Sequence, residues 1–231
     1  MKAALQYPGL QNQPDQGTTR GAVIQVVRRF LRSQFGHPRG VWGSLAGRIM
    51  AVTPSNNDRI RWTLGLLDIK PADRILEIGF GPGIAIALAS ELASVGFVAG
   101  VDHSAVMVRH ASRRNAAALR EGRVALRLGS AGTLPSFDRP FDKIFTINSI
   151  HFWSEPLECL RRLHEQLKPG GLIAVTIQPR SRDATAETTN VIGQELVTNL
   201  KRVGFSQCRV EIKPAHPVPI ACALGLKIGA E

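Results

Sequence analysis

The chain has 231 residues, of which 44% are hydrophobic and 20% are charged, as in an ordinary globular protein with one α/β core. We expect neither a membrane span, which requires ~18 consecutive apolar residues, nor a secretory signal, because residues after Lys2 are not continuously apolar. Three scattered cysteines, Cys159, Cys208 and Cys222, lack C-x-x-C spacing, so we expect no metal site and no disulfide framework, and we expect a cytoplasmic location.

The net charge of +11 is concentrated near the amino terminus. Residues 1–70 contain ten Lys and Arg against three acids, Asp15, Asp58 and Asp68, which leaves +7 there and +4 in the rest of the chain. This charge has two interpretations. It is either a solvated helix face or a surface that attracts an anionic substrate or an anionic membrane.

The segment ahead of the first strand is predicted to be partly helical. Residues 1–20, rich in Gln, Gly, Pro and Thr, are predicted to form a flexible tail. Apolar residues at helical spacing predict an amphipathic helix over 22–35 and a shorter one over 43–51. A further helix over 57–67 leads into the core. Residues 21–55 are too few for a core of their own and are expected to cover the remaining domain, residues 56–231.

From Arg74 onward, strand and helix patterns alternate, which predicts a parallel sheet covered on both faces. Strands are predicted near 74–78, 97–102, 123–128, 142–147, 172–178, 206–213 and 218–227. Helices are predicted near 84–94, 104–118 and 155–167 and, after a loop from Pro179 to Thr188, up to about Val203. Between them, Lys168–Leu172 is predicted to be a turn, since it contains one proline and two glycines.

A glycine-rich stretch follows the first predicted strand. Residues 74–78 form an apolar run that ends in Gly79-Phe80-Gly81-Pro82-Gly83, and glycines at such a turn let the backbone approach a ligand closely. Asp102, 19 positions after Gly83, ends the second predicted strand, where a carboxylate can accept hydrogen bonds from ribose hydroxyls. Together these residues predict a nucleoside cofactor.

The spacing of the glycines separates two classes of nucleoside cofactor. A dinucleotide site has the pattern G-x-G-x-x-G, but Ile84 occupies the third glycine position. With Glu77 ahead of the glycines, the pattern E-x-G-x-G-x-G resembles the class I S-adenosylmethionine-dependent methyltransferases. NAD binding is the weaker alternative. The Leu167-Lys168-Pro169-Gly170-Gly171 segment and the spacing of the fourth strand resemble the ubiquinone and menaquinone C-methyltransferases.

This resemblance, which covers residues 56–228, implies a fold. The family has a Rossmann-like, seven-stranded, mostly parallel sheet with helices on both faces. Its last two strands form a hairpin, and the last strand is antiparallel. Residues ahead of the first strand usually form a helical lid in small-molecule methyltransferases, which implies a lid over 21–55.

The resemblance also implies which residues bind S-adenosylmethionine. Glu77 would lie below the ammonium group, Asp102 would accept from the ribose, and Ser130 stands where relatives have an aspartate that accepts from the adenine. The full set of implied cofactor-binding residues is Glu77, Gly79, Phe80, Gly81, Gly83, Asp102, His103, Ser130, Ala131 and Asn148.

The residues after the fourth predicted strand face the transferring methyl group in this fold. His151 is the candidate general base or substrate-facing residue, although a histidine hydrogen-bonded beneath the lid is an alternative. Phe152 and Trp153 could line an apolar substrate or could pack the next helix against the sheet.

These observations predict an S-adenosylmethionine-dependent methyltransferase that transfers a methyl group in line to a small molecule, a reaction in which orientation is the protein's main contribution. One alternative, an RNA methyltransferase, is suggested by the basic amino terminus. Only 6% of the residues are aromatic, however, and no RNA-binding module is visible, so we expect no nucleic acid partner. The other alternative is a non-catalytic, cofactor-binding partner protein. A peripheral membrane contact and a homo-oligomer stay open.

Overall fold

The structure, a computed structural model, describes residues 54–229. The predicted tail over 1–20 and the predicted helices over 22–35 and 43–51 lie outside these residues, as does the predicted lid apart from its last two residues. The first described element is helix α1, Pro54–Leu66. Among the described residues, no helix combines the length and the apolar character that crossing a bilayer requires.

Strands and helices alternate after α1, as the sequence pattern predicts. The strands are β1 Arg74–Ile78, β2 Phe97–Asp102, β3 Val124–Leu128, β4 Phe141–Ile147, β5 Leu167–Ile177, β6 Ser206–Lys213 and β7 Ile220–Leu226. The helices are α2 Ile84–Leu92, α3 Ala105–Arg114, α4 Ala116–Arg120, α5 Pro156–Gln166 and α6 Ala186–Arg202, with a 3-10 turn at Ile150–Phe152.

These strands form one seven-stranded sheet in the order β3-β2-β1-β4-β5-β7-β6. β1 to β5 pair in parallel, whereas β7 is antiparallel to both β5 and β6. The predicted fold, with its antiparallel last strand, is therefore confirmed. The strand order reverses between β1 and β4, and ligands of open α/β sheets bind at the carboxyl ends of the strands at such a point.

Helices cover both faces of the sheet, which explains why its central strands are almost continuously apolar. Ile173 and Val175 of β5 pack with α5 and α6, whereas Ala174 between them belongs to the opposite cluster, with α1 and α2. All five residues of β1 are buried. Burial on both faces holds the strand ends, and the loops that follow them, in fixed positions.

The segment predicted to be a turn, Lys168–Leu172, lies within β5, and its first four residues form a bulge. Leu167 pairs with Phe141 and Leu172 pairs with Lys143, so four residues of β5 lie opposite Asp142. The Asp142 carboxylate accepts from Lys168 Nζ at 2.7 Å and from the Arg74 backbone N–H at 2.8 Å. The bulge is therefore held by a side chain from the neighbouring strand, which local composition does not reveal.

The helix predicted over 104–118 is broken at Asn115 into α3 and α4. The Asn115 side-chain amide donates to the carbonyl of Gly83, at 3.1 Å, and to that of Ala111, at 2.9 Å. These bonds tie the end of α3 to the glycine loop after β1. The helix expected after Thr188 begins earlier, at Ala186, because Thr185 and Thr188 form a capping box.

Candidate active site

The loop after β1 requires glycine for two different reasons. Gly79 and Gly81 have positive φ angles of 75° and 53°, in the left-handed region that favours glycine. A Cβ atom at Gly79 would also overlap the Ser149 hydroxyl, whereas one at Gly81 would meet no atom within 4 Å. The open space beside Gly81 is what close approach to a ligand needs.

Two of the residues implied by the family pattern mainly serve the packing of the loop. Gly83 lines neither of the cavities described below; a Cβ atom there would lie 2.6 Å from Ala111 Cβ and 2.8 Å from Asn115 Nδ2. Gly83 therefore allows the close packing of α2 against α3, and its implied role in cofactor binding stays a prediction. Phe80 borders the second cavity but is only 3% exposed and packs in the apolar core.

Asp102 is 5% exposed at the end of β2 and is fixed by two backbone donors. Its Oδ2 accepts from the Gly81 N–H at 2.8 Å, and its Oδ1 accepts from the Ser104 N–H at 2.9 Å. Each carboxylate oxygen can accept a second hydrogen bond. The side chain therefore suits the predicted ribose contact while it also holds the glycine loop.

A first cavity of about 470 Å³ lies at the carboxyl ends of β1, β2 and β4 and beside the loop after β3. This volume is within the usual range of small-molecule sites. The predicted residues that line it are Gly79, Gly81, Asp102, His103, Ser130, Ala131 and Asn148. His103 is exposed, with its Nδ1 3.7 Å from Asp102 Oδ1, and so forms an outer wall.

The adenine contact expected of Ser130 stays a prediction. The Ser130 hydroxyl lies 2.8 Å from the Thr133 hydroxyl and accepts from the Thr133 N–H at 3.2 Å, bonds that close the loop after β3. The neighbouring Ala131 is 3% exposed and belongs mostly to the core.

A second cavity of about 310 Å³ adjoins the first. Gly79, Gly81 and Asn148 line both. Its buried acid is Glu77, which is 3% exposed and whose Oε2 has no hydrogen-bond partner within residues 54–229. Burial, together with the nearby charge of Asp102, raises the pKa of Glu77 well above its usual value. A buried carboxyl in this state favours a cationic ligand, because the ligand's charge would compensate its ionisation.

The sequence analysis missed Arg59, which lines the second cavity from α1. Arg59 is 3% exposed, and its guanidinium donates to Gln178 Oε1 at 2.6 Å. Burial and the charge of Arg180 lower its pKa to about 10, so it stays cationic at neutral pH. Arg59 brings a positive charge and Glu77 brings an ionisable carboxyl to one cavity, which suits the carboxylate and the ammonium of an amino acid. No local motif marks Arg59, because α1 meets the site only through tertiary packing.

Asn148 lies at the end of β4, as predicted, in a left-handed backbone conformation with φ 52°. The conformation is held from β5: the Asn148 N–H donates to the Thr176 carbonyl at 2.9 Å, and Asn148 Oδ1 accepts from the Gln178 N–H at 2.8 Å. Its Nδ2 is buried without a hydrogen-bond partner in the described part of the chain. A donor is thus presented where the two cavities meet.

His151, the candidate base, lines neither cavity. Its ring contacts that of Phe152, with the centroids 4.0 Å apart and the two planes tilted by 46°. Burial and the charge of Arg180 lower its pKa to about 4. Such a group is a weak base, so the expectation of general-base catalysis is not supported.

Phe152 lines both cavities and is 55% exposed. Trp153 is buried and donates to Ser149 Oγ at 3.1 Å, which supports the packing interpretation for this residue.

Comparison with known proteins links this geometry to one chemistry. Residues 75–171 match a family model described as a methyltransferase domain. An uncharacterized methyltransferase of Bacillus subtilis strain 168, YdaC, is 32% identical over 183 residues, which are 79% of this chain and 98% of that protein. The 27-O-demethylrifamycin SV methyltransferase of Amycolatopsis mediterranei strain S699 is 28% identical over 166 residues, 68% of this chain and 58% of that protein.

The fold is also shared with solved structures. The crystal structure of a SAM-dependent methyltransferase from Aquifex aeolicus has a TM-score of 0.64 at 20% identity, and the match covers 80% of this chain and 98% of that chain. At this identity the likeness concerns the fold alone.

Proposed function

The chain belongs to the class I S-adenosylmethionine-dependent methyltransferases, and we propose that it transfers a methyl group in line to a small-molecule acceptor. The observation that carries the proposal is the meeting of two cavities at Gly79, Gly81 and Asn148, beside the carboxyl end of β4. The first has the acid that suits a nucleoside, and the second has a buried carboxyl, Glu77, and a buried guanidinium, Arg59.

The residues present fit the cofactor. Asp102 retains lone pairs for the ribose hydroxyls, and the Gly81 backbone leaves open space beside it. In the second cavity, Glu77 and Arg59 would hold the ammonium and the carboxylate of the methionine end. When bound, S-adenosylmethionine supplies an activated sulfonium methyl group, so the chemistry needs little from the protein beyond alignment.

The chain's own contribution is orientation. Asn148 is fixed by hydrogen bonds with Thr176 of β5 and with Gln178, which follows β5, and its side-chain N–H groups lie where the cavities meet. Phe152 lines both cavities beside it. Alignment of two reactants lowers the reaction barrier by as much as ~7–11 kcal/mol in model systems. An acceptor that is already nucleophilic therefore does not need a weak base such as His151 to remove a proton.

A small acceptor is favoured over a macromolecule by the size of the second cavity, about 310 Å³, which must also hold the methionine end. The similarity to a methyltransferase named for 27-O-demethylrifamycin SV supports the same proposal. A cytoplasmic location is part of the proposal, and the scattered cysteines support it.

The proposal is tested with S-adenosylmethionine labelled in its methyl group. The purified protein is incubated with a cell extract that has been separated into low-molecular-weight and RNA fractions, and incorporation of the label is counted in each. With the parent protein we expect label in the low-molecular-weight fraction, and with Asp102→Ala we expect this label to be strongly reduced. The control is Asp183→Ala, which changes an exposed acid outside both cavities and should transfer as much label as the parent does. Label in RNA alone, or in neither fraction, would contradict the proposal.

A further inference from the structure

We propose that Gln178 is a positioning residue for methyl transfer: its side chain orients Arg59 and its main chain orients Asn148, so that it aligns the methionine end of the cofactor with the acceptor. The inference rests on the proposed function and adds a residue that lines neither of the two cavities described above. It follows from hydrogen bonds that join three other segments of the chain to the end of β5.

Gln178 lies at the point where β5 leaves the sheet. β5 ends at Ile177, and Gln178 follows it with only 7% of its surface exposed. The pairing of β5 with β7 also ends there, with Ile177 opposite Ala221. Because the strand ladder stops at this point, the position of Gln178 depends on the hydrogen bonds of its own side chain.

The Gln178 side-chain amide uses both of its N–H groups and its oxygen. Nε2 donates to the carbonyl of His216 at 3.1 Å and to that of Val218 at 2.9 Å, both in the segment between β6 and β7. Because a backbone carbonyl can only accept, these two bonds determine which end of the amide is the nitrogen. The oxygen, Oε1, therefore faces Arg59 and accepts from its Nη1 at 2.6 Å.

This contact fixes one edge of the Arg59 guanidinium beside the second cavity without adding a charge. An arginine side chain has many rotamers, so a contact that favours one of them in advance reduces the entropy lost when a ligand binds. A carboxylate in the place of the Gln178 amide would compete with the carboxylate of the methionine end for the same guanidinium. A neutral amide therefore suits the orientation of a cation that is to bind an anion.

The main chain of Gln178 orients Asn148. The Gln178 N–H donates to Asn148 Oδ1 at 2.8 Å, so the oxygen of this side chain is turned towards the end of β5. Asn148 itself lies where the two cavities meet. Arg59 on α1 and Asn148 after β4 thus depend on the position of one residue, and a displacement of Gln178 should disturb both.

A second contact between α1 and β5 provides a matched control. Thr63 lies about one helical turn after Arg59, and its hydroxyl is 2.8 Å from that of Thr176, two residues before Gln178. Both threonines are fully buried, and neither lines a cavity. Thr63→Val removes this contact, so it tests the support of α1 separately from the orientation of Arg59.

The test measures the binding of S-adenosylhomocysteine and of adenosine to the full chain by calorimetry. Gln178→Met, a side chain of similar length without the amide, should weaken S-adenosylhomocysteine about five-fold and leave adenosine nearly unchanged, because adenosine lacks the amino acid end. Gln178→Glu keeps an acceptor for Arg59 but adds a negative charge, and it should weaken S-adenosylhomocysteine at least as much. This variant carries the same comparison if Gln178→Met does not fold. Thr63→Val should lower Tm but bind both ligands as the parent does.

A double-mutant cycle tests whether Gln178 acts through Arg59. In the Arg59→Gln background, the further change Gln178→Met should have no additional effect on the affinity for S-adenosylhomocysteine. The effect through Asn148 is measured as turnover with methyl-labelled S-adenosylmethionine at saturating concentration. Transfer to the low-molecular-weight fraction should fall about ten-fold in Gln178→Met and stay at the parent's level in Thr63→Val.

An equal loss of affinity for adenosine, additive effects in the cycle, or parent-like affinity or turnover in the Gln178 variants would overturn the inference. Failure of the parent to bind S-adenosylhomocysteine or to transfer label would instead overturn the proposed function.

Discussion

Asp102 Oδ2 accepts a hydrogen bond of 2.8 Å from the Gly81 N–H, so the carboxylate that suits a ribose also fixes the loop beneath the cofactor. The bond joins the end of β2 to the turn after β1, 21 residues earlier in the chain. In the proposed binding mode, one side chain therefore binds the ligand and also fixes the backbone that must approach it. Changes at Asp102 should affect both.

Replacement of Asp102 by alanine should weaken S-adenosylhomocysteine binding by about 1.5–3 kcal/mol, the range for hydrogen bonds to a charged group. Loss of the loop contact should add a smaller loss of thermal stability. Calorimetry and thermal unfolding measure the two effects. Asp183→Ala is the matched control, and affinity equal to that of the parent in Asp102→Ala would show that the ribose is held elsewhere.

Replacement of Glu77 by glutamine should stabilise the ligand-free protein and weaken its binding of S-adenosylhomocysteine. Because burial raises the Glu77 pKa above 4.5, the folded state holds its proton more tightly than the unfolded state does. The resulting penalty is absent below pH 4.5 and grows as pH rises towards the folded pKa. At neutral pH we expect Glu77→Gln to raise Tm by ~2–4 °C, or about 1 kcal/mol.

The control for Glu77→Gln is the same comparison at pH 4, where parent and variant should unfold alike. A variant that is less stable than the parent at neutral pH, or that binds S-adenosylhomocysteine equally well, would contradict the role given to this carboxyl.

Alanine at Gly79 and at Gly81 should have different consequences. At Gly79 the new Cβ overlaps Ser149, so Gly79→Ala should lower the free energy of unfolding by ~2–5 kcal/mol, from overpacking and left-handed strain together. At Gly81 only the strain of about 1–2 kcal/mol applies, but the methyl group enters the ligand space. Gly81→Ala should therefore lose more affinity than stability. Urea unfolding and calorimetry distinguish the two, and equal losses of stability would be inconsistent with this geometry.

Arg59→Gln should lower the affinity for S-adenosylhomocysteine about ten-fold or more but leave the affinity for adenosine almost unchanged, because adenosine lacks the amino acid end. Arg61→Gln, an exposed arginine on the same helix, should bind both ligands as the parent does. An equal loss for adenosine would mean that Arg59 supports the cavity as a whole and does not recognise the carboxylate.

His151 should titrate near pH 4 in an NMR experiment, and Arg180→Gln should shift this titration upward towards 6.5, since one cause of the low pKa is removed.

The lowered pKa of His151 also has a consequence for folding stability. The unfolded state takes up a proton on His151 below about pH 6.5, and the folded state does so only near pH 4, so folding stability falls as pH drops through this window. His151→Asn should reduce this loss of stability. A titration of His151 near pH 6.5 in the parent would contradict both predictions.

The sequence determined the order of the elements and the class of cofactor, because both depend on local patterns. The apolar run of β1, the glycines after it and Asp102 at the end of β2 follow from burial and from backbone conformation, which neighbouring residues dictate. The same reasoning placed Asn148 at the end of β4.

Only the tertiary structure decided which side chains meet. Arg59 enters the site because α1 packs on the sheet beside β5, and Gln178 fixes its guanidinium from 119 residues away. The packing of α3 gives Gly83 a structural role, and the burial of His151 outside both cavities makes it a weak base. The bulge at Lys168–Gly171 depends on Asp142 of the neighbouring strand. Each of these features arises from contacts between distant segments, whose energies no local pattern of residues encodes.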